Sequence, residues 1–125
     1  MEKKKILVAE DEPQLRKLML SKFESSGFAA LGAEDGSVAL EKALKEHPDV
    51  ILLDILMPVM DGIEMLRKLR TDAWGKSALV MLLSNLRDSG KVLEGVELGA
   101  HEYFVKSDWK LEDIVKKVKE KLSIT

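Results

Sequence analysis

Cysteine is absent from the 125 residues of this sequence, so neither a disulfide framework nor a thiolate metal site can form. Long hydrophobic runs are absent as well. The charged start, Met1–Lys5, is followed by only four apolar residues, Ile6–Ala9, too few for a signal peptide or a membrane-spanning helix. We therefore expect a cytoplasmic protein that has no membrane partner, which a chain without disulfides also fits.

A large excess of one charge is missing too. Lys and Arg together number 20 and Asp and Glu number 22, which gives a net charge of −2. Domains that bind nucleic acid usually carry a strong positive excess, so we expect no direct contact with nucleic acid. The length suits one domain, and we expect a single domain over residues 1–125 with no output domain.

What the sequence does contain is a regular alternation of strand and helix signals. Five short apolar runs have the length of buried strands: Ile6–Ala9, Phe28–Leu31, Val50–Leu53, Leu79–Leu83 and Tyr103–Val105. Helical periodicity fills the segments between them. Such alternation predicts an α/β protein whose parallel sheet is covered by helices on both faces. The expected architecture is a flavodoxin-like (βα)5 doubly wound sheet with strand order 2-1-3-4-5.

Several predicted helices have recognisable ends. Pro13 suits the first position of the first helix, where the missing N–H group is not needed. Asp61, with Glu64 three residues later, resembles a capping box at the start of the third helix. We predict that Ser107 and Asp108 cap the last helix.

Carboxylates follow two of the predicted strands. Glu10, Asp11 and Glu12 come directly after the first strand, and Asp54 ends the third. These strands are neighbours in the expected order, and ligands bind in the crevice beyond their carboxyl ends. We interpret Glu12 as a helix cap, whereas Glu10, Asp11 and Asp54 would repel one another unless a cation lay between them. Ligands that are all oxygen favour Mg²⁺ or Mn²⁺.

A hydroxyl and an ammonium group end the two remaining neighbouring strands, at Ser84 and Lys106. Alone, such a serine is usually a turn residue and such a lysine is usually solvated. Together with the carboxylates along the same edge, they suit an anion held against a metal-bound carboxylate.

At these residues the sequence strongly resembles the receiver domain of two-component response regulators, over essentially its whole length. The matching segments are Ile6–Glu12, the run from Asp54 to Gly62, Ser84, and Gly99–Lys106. Ser84 follows Asp54 by 30 residues and Lys106 follows it by 52, which are the intervals of that family.

The resemblance implies that Asp54 is the phosphoacceptor and that a phosphohistidine, on a sensor histidine kinase or a histidine phosphotransfer protein, is the donor. It implies that Mg²⁺ is held by Glu10, Asp11, Asp54 and the backbone carbonyl of Leu56. It also implies a stand-alone signalling domain that catalyses its own phosphorylation and dephosphorylation, and not an enzyme acting on other molecules.

The resemblance assigns three further roles. Lys106 would pair with the phosphoryl oxygens, and the Ser84 hydroxyl would donate a hydrogen bond to them. Movement of Ser84 and an inward turn of Tyr103 would then alter the face formed by the fourth helix, the fifth strand and the fifth helix. That face would bind a downstream protein, or join two copies of a chain that is otherwise monomeric.

The sequence departs from the commonest family pattern at several positions. Glu10 replaces an aspartate, so it could hold the metal through water. Ser107 replaces a proline whose peptide bond is commonly cis, and we expect a trans bond here. In the family, the positions two residues past Asp54 and two past Ser84 tune dephosphorylation. Here they are Leu56 and Leu86, which are apolar and cannot orient an attacking water, so we predict a long-lived phosphoryl group.

Two other functions are open at this point. A constitutive interaction module could keep the fold without phosphorylation, although the complete set of five strand-end residues argues against it. A small metal-dependent phosphohydrolase would need a second acid near Asp54, and position 56 is leucine.

Overall fold

A computed structural model describes residues 3–85 and 89–124. The strands are β1 (Lys5–Ala9), β2 (Ala29–Ala33), β3 (Val50–Asp54), β4 (Val80–Ser84) and β5 (Glu102–Val105). The helices are α1 (Pro13–Ser25), α2 (Gly36–Glu46), α3 (Gly62–Leu69), α4 (Ser89–Glu97) and α5 (Leu111–Lys121), with short 3₁₀ turns at Gly75–Ser77 and Lys106–Asp108. Among these described residues, no helix is both long enough and apolar enough to span a membrane.

The strands of the described residues form one parallel sheet in the order β2-β1-β3-β4-β5, which confirms the predicted topology. The register places Asp54 opposite Leu83 and Ser84 opposite Val105. The last residues of neighbouring strands are therefore level with one another. This register brings the predicted site residues to one edge of the sheet.

Two core layers cover the two faces of the sheet. On one face, strand residues such as Leu53 and Leu82 pack against α2 and α3. On the other face, residues such as Leu52 and Phe104 pack against α1 and α5. β3 and β4 are buried along their whole length, as their continuous apolar runs predict for central parallel strands.

The helix ends agree with the sequence except at α5. Glu12 accepts hydrogen bonds from two backbone N–H groups of α1, and Asp61 accepts one from the Glu64 N–H group at 2.9 Å. The prediction that Ser107 and Asp108 cap α5 is wrong. Both lie in the 3₁₀ turn, and the chain continues extended through Trp109, whose ring packs edge-on against a core ring of β5, before α5 begins.

Not every apolar residue of the predicted helical stripes is buried. The side chains of Leu18 on α1 and of Leu93 and Val96 on α4 are more than half exposed. On α4 the close approach to the sheet is made by Gly95, because a Cβ at this position would collide with the Leu82 side chain.

The connection between β3 and α3 contains a tight turn with a strained residue at its centre. The Met60 N–H group donates to the Pro58 carbonyl oxygen at 2.7 Å, and Val59 between them has a φ of 70°. A β-branched residue in the left-handed region is sterically unfavourable. The Val59 side chain is 82% exposed, so little packing offsets that strain.

We expect the Val59→Gly variant to raise the free energy of unfolding by about 1 kcal/mol, because glycine adopts positive φ without steric conflict. Urea unfolding measures the change. Val59→Ala is the matched control, since it removes the exposed side chain but keeps Cβ, and it should gain less. A glycine variant less stable than the alanine variant would contradict the prediction.

Candidate functional site

A crevice of about 440 Å³ opens at the carboxyl edge of the sheet, where β1, β3, β4 and β5 end. The structure brings together there all the residues predicted to bind a metal or a phosphoryl group: Glu10, Asp11, Asp54, Leu56, Ser84 and Lys106. Glu12, Leu15 and Asn85 complete the lining. The convergence of positions far apart in the sequence follows from the strand order.

Glu10 is fully buried at the end of β1. Its Oε2 atom accepts a hydrogen bond from the backbone N–H group of Glu12 at 3.0 Å. Its Oε1 atom forms an ion pair with the Lys106 ammonium at 2.5 Å. Glu10 is therefore held by the main chain through Oε2 and by Lys106 through Oε1.

Lys106 lies between two carboxylates. Besides its contact with Glu10, its ammonium donates to Oδ2 of Asp54 at 2.9 Å. Burial lowers the pKa of Lys106, but the contacts with Glu10 and Asp54 outweigh burial and raise it above the usual value. Lys106 therefore keeps its positive charge in the crevice.

Asp54 is 3% exposed at the end of β3. Burial raises the pKa of Asp54, Lys106 lowers it, and the negative charges of Glu10 and Asp11 raise it again, so that the pKa moves from 3.8 to about 6. The positive charge of Lys106 therefore does not offset the combined effect of burial and the two neighbouring carboxylates on the pKa of Asp54.

The donor atoms fit a hard divalent cation. One carboxylate oxygen from each of Glu10, Asp11 and Asp54 lies within 4.8 Å of the others. Glu10 and Asp54 are buried while Asp11 is exposed, so the set combines a desolvated interior with access from solvent. Oxygen donors of this kind are the ligands that hard divalent cations take in proteins.

The remaining predicted residues are placed as follows. Ser84 is 1% exposed at the end of β4, and Tyr103 is half-buried in β5 on the side of the sheet covered by α2 and α3. Tyr103 is not part of the crevice lining. Leu56 lines the crevice with about half of its side chain exposed, whereas Leu86 lies outside the described residues, so the lifetime of the phosphoryl group stays a prediction. The peptide bond between Lys106 and Ser107 is trans, as expected.

Two polar contacts near the site were not predicted. Arg16 on α1 donates to the backbone carbonyl oxygens of Glu10 and Asp11. Lys91 on α4 is 3.3 Å from Asp61, the residue that caps α3. Arg16 could have been suspected, because the fourth residue of a helix can reach back to the loop before it.

Comparison with known proteins gives a consistent result. The family model for the response regulator receiver domain matches residues 6–119. The alkaline phosphatase synthesis transcriptional regulatory protein PhoP of Bacillus subtilis is 42% identical over 103 residues, covering 82% of this chain and 42% of that protein. The DNA-binding response regulator MtrA of Mycolicibacterium smegmatis is 32% identical over 120 residues, covering 96% of this chain and 51% of that protein. The chain thus spans about half the length, or less, of these curated relatives.

Among solved structures, the chemotaxis protein CheY4 of Vibrio cholerae superposes with a TM-score of 0.87 at 29% sequence identity, covering 95% of this chain and 98% of that one. Its fold and the family match agree with the site geometry found at the ends of β1, β3, β4 and β5. The chain belongs to the receiver domains of two-component response regulators.

Proposed function

We propose that this chain is a phosphorylation-dependent switch in which Asp54 accepts the phosphoryl group of a phosphohistidine. The donor is a sensor histidine kinase or a histidine phosphotransfer protein, since receiver domains pair with histidine kinases. The observation that carries the proposal is the contact of the Asp54 carboxylate with Lys106 at 2.9 Å, inside a crevice that also holds Glu10 and Asp11. The switch is read by a downstream protein and performs no catalysis on other molecules.

Transfer needs an ionised nucleophile and a place for the negative charge of the incoming group. With a pKa of about 6, Asp54 is ionised at neutral pH. One of its oxygens forms the new P–O bond while the P–N bond of the phosphohistidine breaks. Lys106 is placed to move from the carboxylate to a phosphoryl oxygen, which is charge stabilisation of the kind used throughout phosphoryl transfer.

Receiver domains bind Mg²⁺ at an acidic pocket, and Glu10, Asp11 and Asp54, with the Leu56 carbonyl, are the groups that would hold it here. When bound, the ion would supply the positive charge that lets acceptor and donor approach each other. The convergence of these three carboxylates to within 4.8 Å of one another supports this assignment.

The phosphorylated state would differ by a local change in charge. A phosphoryl group adds roughly −1.5 to −2 charges and three strong acceptor oxygens. The Ser84 hydroxyl at the end of β4 would donate to one of them and draw the following segment inward. Rearrangement of Tyr103 on the neighbouring strand β5 would then change the face formed by α4, β5 and α5, where a target protein or a second copy would bind.

Intact-mass measurement after incubation with acetyl phosphate and Mg²⁺ tests this proposal. We expect the mass to increase by one phosphoryl group in the wild type and in Asp113→Asn, a control that removes an exposed carboxylate on α5. We expect no increase in Asp54→Asn or when Mg²⁺ is chelated. An unmodified wild type would favour a constitutive interaction module, and a modified Asp54→Asn variant would place the acceptor elsewhere.

A further inference from the structure

Arg16 contacts the main chain of the segment between β1 and α1, which carries Glu10 and Asp11. Its Nη1 atom donates to the backbone carbonyl oxygen of Glu10 at 2.8 Å and lies 3.4 Å from that of Asp11. These are the carbonyl groups of two of the three residues whose carboxylates converge on the candidate metal position. A single guanidinium group therefore contacts the main chain on which two metal-binding side chains are carried.

The contact completes a set of three that fixes Glu10. Its backbone N–H group donates to the carbonyl oxygen of Ala33 at 3.0 Å, and its Oε2 atom accepts from the N–H group of Glu12. With Arg16 on its carbonyl oxygen, both main-chain polar groups and one carboxylate oxygen of Glu10 are engaged. The other carboxylate oxygen, Oε1, faces the crevice and pairs with the Lys106 ammonium.

Arg16 itself is held in place by packing. It stands in the first turns of α1, and its methylene groups cover Gly32 of β2, where an added Cβ would lie 3.4 Å from Arg16 Cδ. The side chain is half-buried, so its orientation is set by β2 as well as by its own helix. This fixed stem lets the guanidinium act as a rigid support.

We propose that Arg16 is a positioning residue for the cation site, holding the main chain of Glu10 and Asp11 so that their carboxylates converge. The inference rests on the proposed function in one respect, namely that the site binds a divalent cation. The proposal predicts that removing Arg16 weakens cation binding, which is the opposite of what electrostatics alone would give. A positive charge beside a cation site disfavours the ion, so its removal should tighten binding if charge alone mattered, whereas loss of an outer-shell support typically weakens metal affinity by about 10- to 100-fold.

The test uses the whole chain and measures binding of Mn²⁺ alone by electron paramagnetic resonance of the free ion, and of Mg²⁺ alone by calorimetry. Arg16→Met keeps most of the apolar stem and removes the guanidinium. Arg16→Lys keeps the charge and a single ammonium group that can still donate hydrogen bonds. Lys17→Met removes the same charge from an exposed neighbouring position.

We expect Arg16→Met to bind Mn²⁺ about tenfold more weakly than the wild type, Arg16→Lys to recover most of that loss, and Lys17→Met to bind as tightly as the wild type or slightly more tightly. The measurements are made on protein that is folded by circular dichroism, so a change in stability alone does not alter the affinity. Equal affinity in Arg16→Met and Lys17→Met would overturn the proposal.

Failure of the proposed function has a different signature. A wild type that binds Mn²⁺ but is not phosphorylated would refute the phosphoacceptor role of Asp54 and leave the Arg16 result valid. A wild type that binds neither ion would overturn the Arg16 proposal, while its phosphorylation would be judged separately by mass.

Discussion

The Gly62→Ala variant is expected to lose about 3 kcal/mol of unfolding free energy and to bind Mn²⁺ at least tenfold more weakly. A Cβ at this position would overlap the carbonyl oxygen of Asp54 and would lie 3.0 Å from the Cα atom of Ile55. Both obstacles are main-chain atoms at the end of β3, where the acceptor lies, so no side-chain rotation relieves them. The chain can accommodate the methyl group only if the start of α3 and the end of β3 move apart.

Such a movement would also break a hydrogen bond. The Gly62 N–H group donates to the Ile55 carbonyl oxygen at 2.7 Å, which closes the loop between β3 and α3. Because this loop starts at Asp54, its displacement would misplace the acceptor carboxylate relative to Glu10 and Asp11. The loss of stability and the loss of ion binding therefore have one cause.

Gly27→Ala is the control for this prediction. Gly27 has a φ of 100°, which alanine adopts poorly, but no heavy atom outside its immediate neighbours lies within 4 Å of the added Cβ. We expect a loss of about 1 kcal/mol from backbone strain alone and unchanged Mn²⁺ binding. Urea unfolding and Mn²⁺ titration compare the two variants, and equal losses in both measurements would show that the contact with Asp54 does not govern the effect.

The sequence predicts the fold and most of the site because both depend on local patterns of apolar residues. These patterns locate the strands, and the order of the strands determines which residues meet at the edge of the sheet. Buried strands such as Val50–Asp54 can be recognised in the sequence as apolar runs too short for a helix. Once such strands lie parallel and in order, residues at their ends must meet at one edge. The convergence of Glu10, Asp54 and Lys106 can therefore be predicted from their positions at the ends of strands, without any knowledge of side-chain conformation.

Features that depend on local three-dimensional contacts are not visible in that way. Arg16 is one of many basic residues on helix surfaces, and its role depends on the path of the loop before α1. The positive φ of Val59 belongs to the tight turn by which the chain reverses between the end of β3 and the start of α3. The start of α5 is set by the packing of Trp109 against Phe104 and not by the capping potential of Ser107.

Removal of the Lys106 ammonium group gives the second large effect. We expect Lys106→Met to lower the unfolding free energy of the metal-free protein by about 3 kcal/mol at pH 7, because the loss of Lys106 leaves its buried partner charges uncompensated. Those partners are Glu10, which is fully buried, and Asp54, which is 3% exposed. Lys116→Met, which removes an exposed positive charge from α5, should have little effect.

The pH dependence of this loss identifies its origin. Lys106 lowers the pKa of Asp54, so its removal moves that pKa further above the unfolded value than the present value of about 6. A carboxyl group with a raised pKa binds more protons in the folded state than in the unfolded state between these two pKa values, and stability falls as the pH rises through that window. The difference in unfolding free energy between the wild type and Lys106→Met should therefore be small near pH 4 and should grow above pH 6.

Two further measurements separate charge from packing. Combining Lys106→Met with Asp54→Asn removes one of the stranded carboxylates and should restore a large part of the stability at pH 7. Mg²⁺ should stabilise Lys106→Met more than it stabilises the wild type, because the ion would supply positive charge that the variant lacks. A deficit that is constant with pH and indifferent to Mg²⁺ would mean that the lysine stem, and not its charge, holds the site together.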